Sequence, residues 1–323
     1  MSLSKIIIFS LCLMLVPLQS NAIFGLAGRV EQKQKIAAAR EAYAKGNYGE
    51  AIKICEDFLM QNQDAPKRRT RRIYSVLGDT YVALGNYDKA LLTYSEALEL
   101  LPKDIGLNLS LADLYYKTEL YDKAIEFYNK TLQLEENNEG ALLGLGRTFL
   151  KIGFLSKSRQ YFKKYLEESN QKDPLVYYEY ANANFLSNNL NTALDYALQA
   201  KRLNNKNPDI YFLIAKIYNN LNAPKKARLN IDIALQLSQN REDIFLTSAL
   251  WKAYETETAS EALKEIKRYQ KENPDSQLAI FIEFISLSKQ GKKKEALNVL
   301  KKIQNKNEDS FIKTVSQQIL ANN

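Results

Sequence analysis

The 323-residue chain contains no histidine. That absence removes the Ser-His-Asp triad, the Cys-His dyad, histidine-ligated zinc and the histidine proton switch. Glycine and proline are scarce, at 12 and 7 residues, and only seven valines occur. A β-sandwich or barrel needs turn residues about every 8–12 positions and β-branched strands, so an all-β fold is not expected. There is no Gly-rich phosphate loop, no CxxC and no EF-hand loop. Paired acids such as Glu135-Glu136 and Glu167-Glu168 fall where predicted helices end and read as solvated surface. The sequence offers no catalytic constellation, so no enzyme activity, cofactor or metal is expected.

What remains is ordinary globular composition: 46% hydrophobic and 25% charged, with 20 tyrosines, 13 phenylalanines and a formal charge of +8. The N-terminus stands apart. Lys5 precedes an uncharged apolar run from Ile6 to Leu18, and Ser20 and Ala22 supply small residues for cleavage. That run is too short to span a bilayer, which takes about 20 residues. Residues 1–22 therefore read as a secretory signal peptide, with a retained anchor as the alternative. Its loss removes Lys5 and no acid, leaving +7. An exported protein, periplasmic or secreted, follows as the expectation. Cys12 leaves with the signal, and Cys55 alone cannot form an internal disulfide, so the core must hold without bridges. Cys55 lies in an apolar helical pattern and reads as a buried, inert thiol.

The rest of the chain repeats. Gly46-Asn47-Tyr48-Gly49-Glu50-Ala51 returns as Gly85-Asn86-Tyr87-Asp88-Lys89-Ala90, then as Leu120-Tyr121-Asp122-Lys123-Ala124. A small residue continues at Ser158, Ala193, Ala227, Ala262 and Ala296, each 34 or 35 residues after the last; only the first interval, 51 to 90, is longer. A second small residue precedes it by twelve at Ala39, Gly78, Ala112, Gly146, Ala181 and Ala215, but Leu250 and Phe284 break that pattern. A large apolar or aromatic residue follows it by four at Tyr94, Tyr128, Phe162, Ile231, Ile266 and Leu300. Each unit reads as two apolar-periodic helices around a polar turn. Asp173-Pro174, Asn207-Pro208 and Asn273-Pro274 each read as a capping side chain before a first-turn proline. No such unit buries its apolar face alone, so stability must come from stacking.

This pattern resembles the tetratricopeptide repeat. The resemblance implies an all-α fold: a helix–turn–helix solenoid, wound as a right-handed superhelix, of about eight repeats over 32–308. Residues 23–31 form a weakly patterned N-terminal segment. In 309–323, Phe311, Ile312, Val315, Ile319 and Leu320 share a helical stripe opposite Lys313, Ser316 and Gln317, which reads as a capping helix. The long first interval places an insertion near residues 62–72.

The family binds peptides and proteins with its first helices, in a concave groove. Its binding positions transfer here to Arg40, Asp79, Asp113, Tyr116, Lys117, Arg147, Lys151, Tyr178, Asn182, Phe185, Phe212, Lys216, Asn219, Asn220, Trp251 and Tyr254. Aromatic, Arg and Lys groups presented together suit a protein or peptide ligand. The family's clamp for a chaperone's terminal carboxylates needs lysine and asparagine where Ile36, Arg40, Ser75 and Asp79 stand, so that ligand is not expected. The implied role is a non-enzymatic scaffold or adaptor in cell-envelope assembly or a periplasmic complex. The alternative is peripheral binding to anionic membrane or polysaccharide through Lys67, Arg68, Arg69, Arg71 and Arg72, cations that oppose the dipole of the helix they begin. Export argues against a nucleic-acid partner.

Overall fold

The computed structural model describes residues 30, 33–62, 67–304 and 311–321. The expected signal peptide, and all of the segment 23–31 except Val30, lie outside the described residues. Among those described, the fold is all-α. Helix α1 covers 33–44. It is followed by α2 (Tyr48–Gln61), α3 (Lys67–Ala83), α4 (Tyr87–Leu100), α5 (Ile105–Lys117), α6 (Tyr121–Leu134), α7 (Glu139–Lys151) and α8 (Leu155–Glu168). Then come α9 (Pro174–Leu186), α10 (Leu190–Leu203), α11 (Pro208–Asn220), α12 (Pro224–Leu237), α13 (Glu242–Tyr254), α14 (Ala259–Glu272), α15 (Gln277–Lys289), α16 (Lys293–Gln304) and α17 (Phe311–Ala321). Odd-numbered helices open the repeats and even-numbered ones close them. The chain divides into two compact units between Asn170 and Gln171.

Capping explains where the opening helices begin. The Asp104 carboxylate accepts from Leu107 N at 3.0 Å, Asn138 from Ala141 N at 3.0 Å, Asp173 from Leu175 N at 2.8 Å and Asn207 from Asp209 N at 2.9 Å. Each satisfies an amide that the helix leaves without a partner, worth about 1 kcal/mol. Asp173 and Asn207 precede first-turn prolines, as expected. Asn273 does not. It ends α14, where its side-chain amide donates to Tyr269 O, and Ser276 caps α15 through Ala279 N at 3.3 Å. The reason is phase: α15 starts nineteen residues before Ala296, the offset that α11 keeps from Ala227. Pro274 stands three positions too early to share it.

In seven of the eight repeats the turn passes through one residue in the left-handed region; the turn between α13 and α14 does not. Gly46, Gly85, Gly153 and Gly291 occupy it with φ of 78°, 73°, 79° and 77°. Glu119, Asn188 and Asn222 occupy it with φ of 61°, 59° and 56°, where a Cβ is disfavoured.

The recurring small residues sit where paired helices cross. Ala51, Ala90, Ala124 and Ser158 are 0% exposed in the first unit, as are Ala193 and Ala262 in the second. The large residues four positions on, Tyr94, Tyr128 and Phe162 in the first unit and Ile231, Ile266 and Leu300 in the second, are buried too. Glycines admit the rings. A Cβ on Gly78 would lie 2.3 Å from Tyr94 Cε1, and one on Gly146 would lie 2.9 Å from Phe162 Cδ1. Cys55 is buried in the same core, and burial pushes its thiol up to about 12.

The insertion is partly helical. Helix α3 has 17 residues against 13 in α5, and the added turn carries the basic run. At the other end, Ile312, Ile319 and Leu320 of α17 pack against the cluster formed by Ile280, Leu287, Leu300 and Ile303. Ser316 was expected on the solvent face but is 0% exposed, its hydroxyl donating to Ile312 O at 2.7 Å. Ile312, Ser316, Ile319 and Leu320 follow the i, i+4, i+7, i+8 spacing of one helical face, which turns the serine inward.

Candidate interaction site

One register position recurs along the opening helices, eleven residues before the small residue of each repeat. In the first unit it holds Arg40, Asp79, Asp113 and Arg147; in the second it holds Asn182, Lys216, Trp251 and Ile285. The sequence of side chains at this one position sets the chemistry of each unit's opening-helix face.

In the first unit the two aspartates are already engaged. Tyr94 donates its hydroxyl to Asp79, and Tyr128 donates to Asp113 at 2.6 Å. Desolvation holds both carboxyls above the usual aspartate value, while these hydroxyls pull them back down. Nearby Arg40 acts in the same direction on Asp79, and Arg147 on Asp113. In the next repeat both partners change together. Arg147 replaces the aspartate, and Phe162 replaces the tyrosine. The position thus carries a carboxylate where the closing helix supplies a tyrosine hydroxyl, and a cation where it supplies none.

The second unit differs. Lys216 of α11 is half-buried, with Nζ 4.6 Å from the Phe212 ring centroid and 5.7 Å from that of Phe185 on α9. Among the described residues no carboxylate lies within ion-pair distance of it. Asp209 and Asp243 act on it from further away, and Arg241 opposes them. Desolvation is the largest influence and lowers its pKa. The acids that could have neutralised it are held elsewhere: Arg241 pairs with Asp209 and with Asp243, each at 2.7 Å. Tyr178 of α9 stands in the field of the same Asp209–Arg241 pair and is raised mainly by burial. The result is an amine between two phenyl rings, accessible and short of a counter-charge. Cation–π contacts of this kind are worth about 0.5–2 kcal/mol and leave the ammonium able to accept a carboxylate.

A family model described as TPR repeat matches residues 78–119, and one described as tetratricopeptide repeat matches 105–138. Residues 78–138 thus carry tetratricopeptide repeats within an all-α fold. Solved structures similar to it include YrrB, a TPR protein with an unusual peptide-binding site, 18% identical with a TM-score of 0.52 over 60% of this chain and 96% of that one. A tetratricopeptide repeat protein from Parabacteroides merdae is 17% identical, with a TM-score of 0.54 over 90% of this chain and 97% of its own. MamA (41-end) from Desulfovibrio magneticus RS-1 is 16% identical, with a TM-score of 0.50 over 53% and 97%. At such identities the likeness is one of fold. No curated protein matches the sequence.

The repeat protein brings some of the expected site residues together and separates others. Tyr178, Asn182 and Phe185 are half-buried on α9, and Phe212 and Lys216 on α11, with Asn219 exposed one turn further on. Trp251 is half-buried on α13 and packs, like Phe212, against the Tyr211–Ile231–Ile244 cluster. Tyr254 ends α13, 54% exposed and away from that cluster. In the first unit Tyr116 packs against Tyr121 at 5.9 Å, Lys117 lies 5.3 Å over Tyr87, Arg147 is half-buried beside Asp113, and Lys151 is exposed. Of the basic run, Arg71 pairs with Asp104 at 2.5 Å and Arg72 is exposed. The side chains of Lys67, Arg68 and Arg69 lie outside the described residues. Sequence reasoning missed Asp209, Arg241 and Asp243. Their signal was the charge clustered at the starts of α11 and α13, one repeat apart.

Proposed function

We propose that this protein is an exported, non-enzymatic adaptor that holds a peptide or protein segment against the opening-helix face of its second unit. Its place would be in cell-envelope assembly or a periplasmic complex. The observation that supports this reading is Lys216: a half-buried amine framed by Phe185 and Phe212, with its nearest acids committed to Arg241. Interaction hot spots combine such aromatic anchors with a desolvated charge. The peptide-binding site of the similar YrrB protein is consistent with it. The membrane alternative through residues 67–72 rests on the charge of that run alone, of which Arg71 is paired with Asp104.

The test is capture of partners from an envelope fraction by the mature chain and by a Trp251→Ala, Phe212→Ala, Lys216→Ala triple variant. Loss of a captured protein, with circular dichroism unchanged, is the expected result. Equal capture by a folded triple variant overturns the groove. Export is checked separately: the protein isolated from its native cells should begin at Ile23, and a retained Met1 overturns cleavage.

A further inference from the structure

The last two closing helices carry more positive charge than their surroundings answer. Between Ala259 and Gln304 the chain has ten Lys and Arg residues against six Asp and Glu. Three of those acids are already committed. Glu261 and Glu265 pair with Lys252, each at 2.8 Å. Glu283 is buried, accepting from Gln270 at 3.1 Å with Lys267 at 3.8 Å. Lys264, Arg268 and Lys271 of α14, and Lys294, Lys301 and Lys302 of α16, are exposed, and none has a carboxylate at ion-pair distance among the described residues. We propose that this face docks on an anionic lipid bilayer, whose headgroups supply the missing counter-charge.

Packing gathers these cations. On α14 the buried stripe is Ala259, Ala262 and Ile266, which leaves 264, 268 and 271 on the opposite side at i, i+4 and i+7. On α16 Ala296, Val299, Leu300 and Ile303 are buried, leaving 294, 301 and 302 at i, i+7 and i+8. Leu263 of α14 packs against the cluster that Ala296 and Leu300 of α16 build with Ile280 and Leu287 of α15. The two helices thus share one core and turn their opposite stripes to solvent. Register aligns them further. Five and six positions after the small residue stand Lys267-Arg268 in one repeat and Lys301-Lys302 in the next. In repeat one those positions hold Glu56 and Asp57. In repeat four they hold Lys163 and Lys164, but Glu167 and Glu136 answer them.

The free protein gains nothing from the arrangement. In repeat two, Asn86 caps the closing helix by accepting from Lys89 N at 3.3 Å, and Asp88 supplies a first-turn acid. In repeat eight Lys292 and Lys294 stand at those positions and oppose the helix dipole. Lys264 and Arg268 repel each other at i, i+4. The surface also lacks what a protein interface uses. Among the described residues no large apolar side chain of α14, α15 or α16 is exposed. Protein interfaces are anchored by aromatic and apolar side chains and are depleted in lysine. Adsorption to charged lipid needs no such anchor, and a compact ammonium on a flexible stem suits a diffuse anionic surface. The cations lie on closing helices, so a docked chain keeps Lys216 of α11 available, whether or not a peptide binds there.

The test is co-sedimentation of the chain from Ile23 with phosphatidylcholine vesicles, made with and without phosphatidylglycerol. Binding is expected only with phosphatidylglycerol at about 0.1 M salt, and release at about 1 M, where the Debye length falls from about 10 Å to about 3 Å. Each cation near such a surface is worth about fivefold in binding. Lys264→Gln, Arg268→Gln and Lys271→Gln together, or Lys294→Gln, Lys301→Gln and Lys302→Gln together, should therefore weaken binding about a hundredfold, with circular dichroism unchanged. Lys67→Gln, Arg68→Gln and Arg69→Gln together should leave it as it was. No binding to phosphatidylglycerol vesicles, equal binding to both kinds of vesicle, or binding that neither α14 nor α16 variant weakens overturns the assignment. Loss confined to the 67–69 variant moves the lipid contact to α3 and overturns it as well. A chain that ignores the vesicles but captures a soluble acidic protein through these cations has a protein interface here, and the lipid assignment falls.

Discussion

Tyr128 donates its hydroxyl to Asp113 at 2.6 Å, and Tyr94 makes the same bond to Asp79 one repeat earlier. Each bond ties the closing helix of a repeat to the face that its opening helix presents. Removing the hydroxyl leaves a desolvated carboxylate short of a donor, at a cost of about 1–3 kcal/mol. Tyr128→Phe should therefore lower stability by that amount in chemical denaturation. Tyr128→Phe made in an Asp113→Leu background should cost far less. Equal losses in both backgrounds would show that the bond contributes nothing.

The same carboxylate predicts a pH dependence. Desolvation, the largest influence, raises Asp113 above its ordinary 3.8. The folded chain then holds this proton at pH values where the unfolded chain has lost it. Between 3.8 and the raised value the native state binds more protons, so this group's contribution to stability grows as pH falls and is least favourable at neutral pH. Asp113→Asn keeps an acceptor for Tyr128 and carries no charge to desolvate. It should be as stable as the parent or more stable at neutral pH, and its advantage should shrink as pH falls through that window. An advantage that widens on acidification contradicts the assignment.

Gly78 and Gly49 should respond to alanine with opposite sign. A Cβ at Gly78 meets the Tyr94 ring at 2.3 Å, and the ring is locked by its bond to Asp79. Gly78→Ala should cost about 1–3 kcal/mol or more through overpacking. A Cβ at Gly49, in the first turn of α2, meets nothing within 4 Å. Gly49→Ala should gain about 0.5–1 kcal/mol from reduced backbone freedom in the unfolded chain. Thermal denaturation of the two variants makes the comparison.

Cys55 is 0% exposed, with its thiol pushed up to about 12. In a chain starting at Ile23 it is the only thiol. A disulfide reagent at pH 8 should label it only as fast as the first unit opens, and labelling should speed up with denaturant. Immediate labelling in native buffer would show that the packing around α2 is not closed.

The period of the fold was legible because packing imposes it. Alanine, glycine or serine is needed wherever two helices cross closely, and Ala90, Ala124 and Ser158 mark that need 34 residues apart. Capping was legible where Asp or Asn preceded proline. It misled at Asn273, since proline restricts local backbone whereas the helix start is set by register with the partner helix. The inward turn of Ser316 was hidden for a related reason: a serine that bonds back to its own helix is indistinguishable by type from a solvated one. At the candidate site, register placed Phe212, Lys216 and Trp251 on one face. It could not reveal that Arg241 withdraws Asp209 and Asp243 from Lys216, because that depends on where the start of α13 lies beside α11.

The capping residues also bear on how such a chain can change length. Asp104 and Asn138 stand 34 residues apart and make the same bond to the third residue of the helix that follows. Excising 105–138 would set Asp104 directly before Glu139, replacing one good cap with another and leaving every later small residue in phase. Duplicating the same stretch would be equally smooth. The number of repeats is thus a quantity that this sequence can alter by whole-unit steps without rewriting any joint, and a gene of this kind can lengthen or shorten its product while each helix keeps its punctuation.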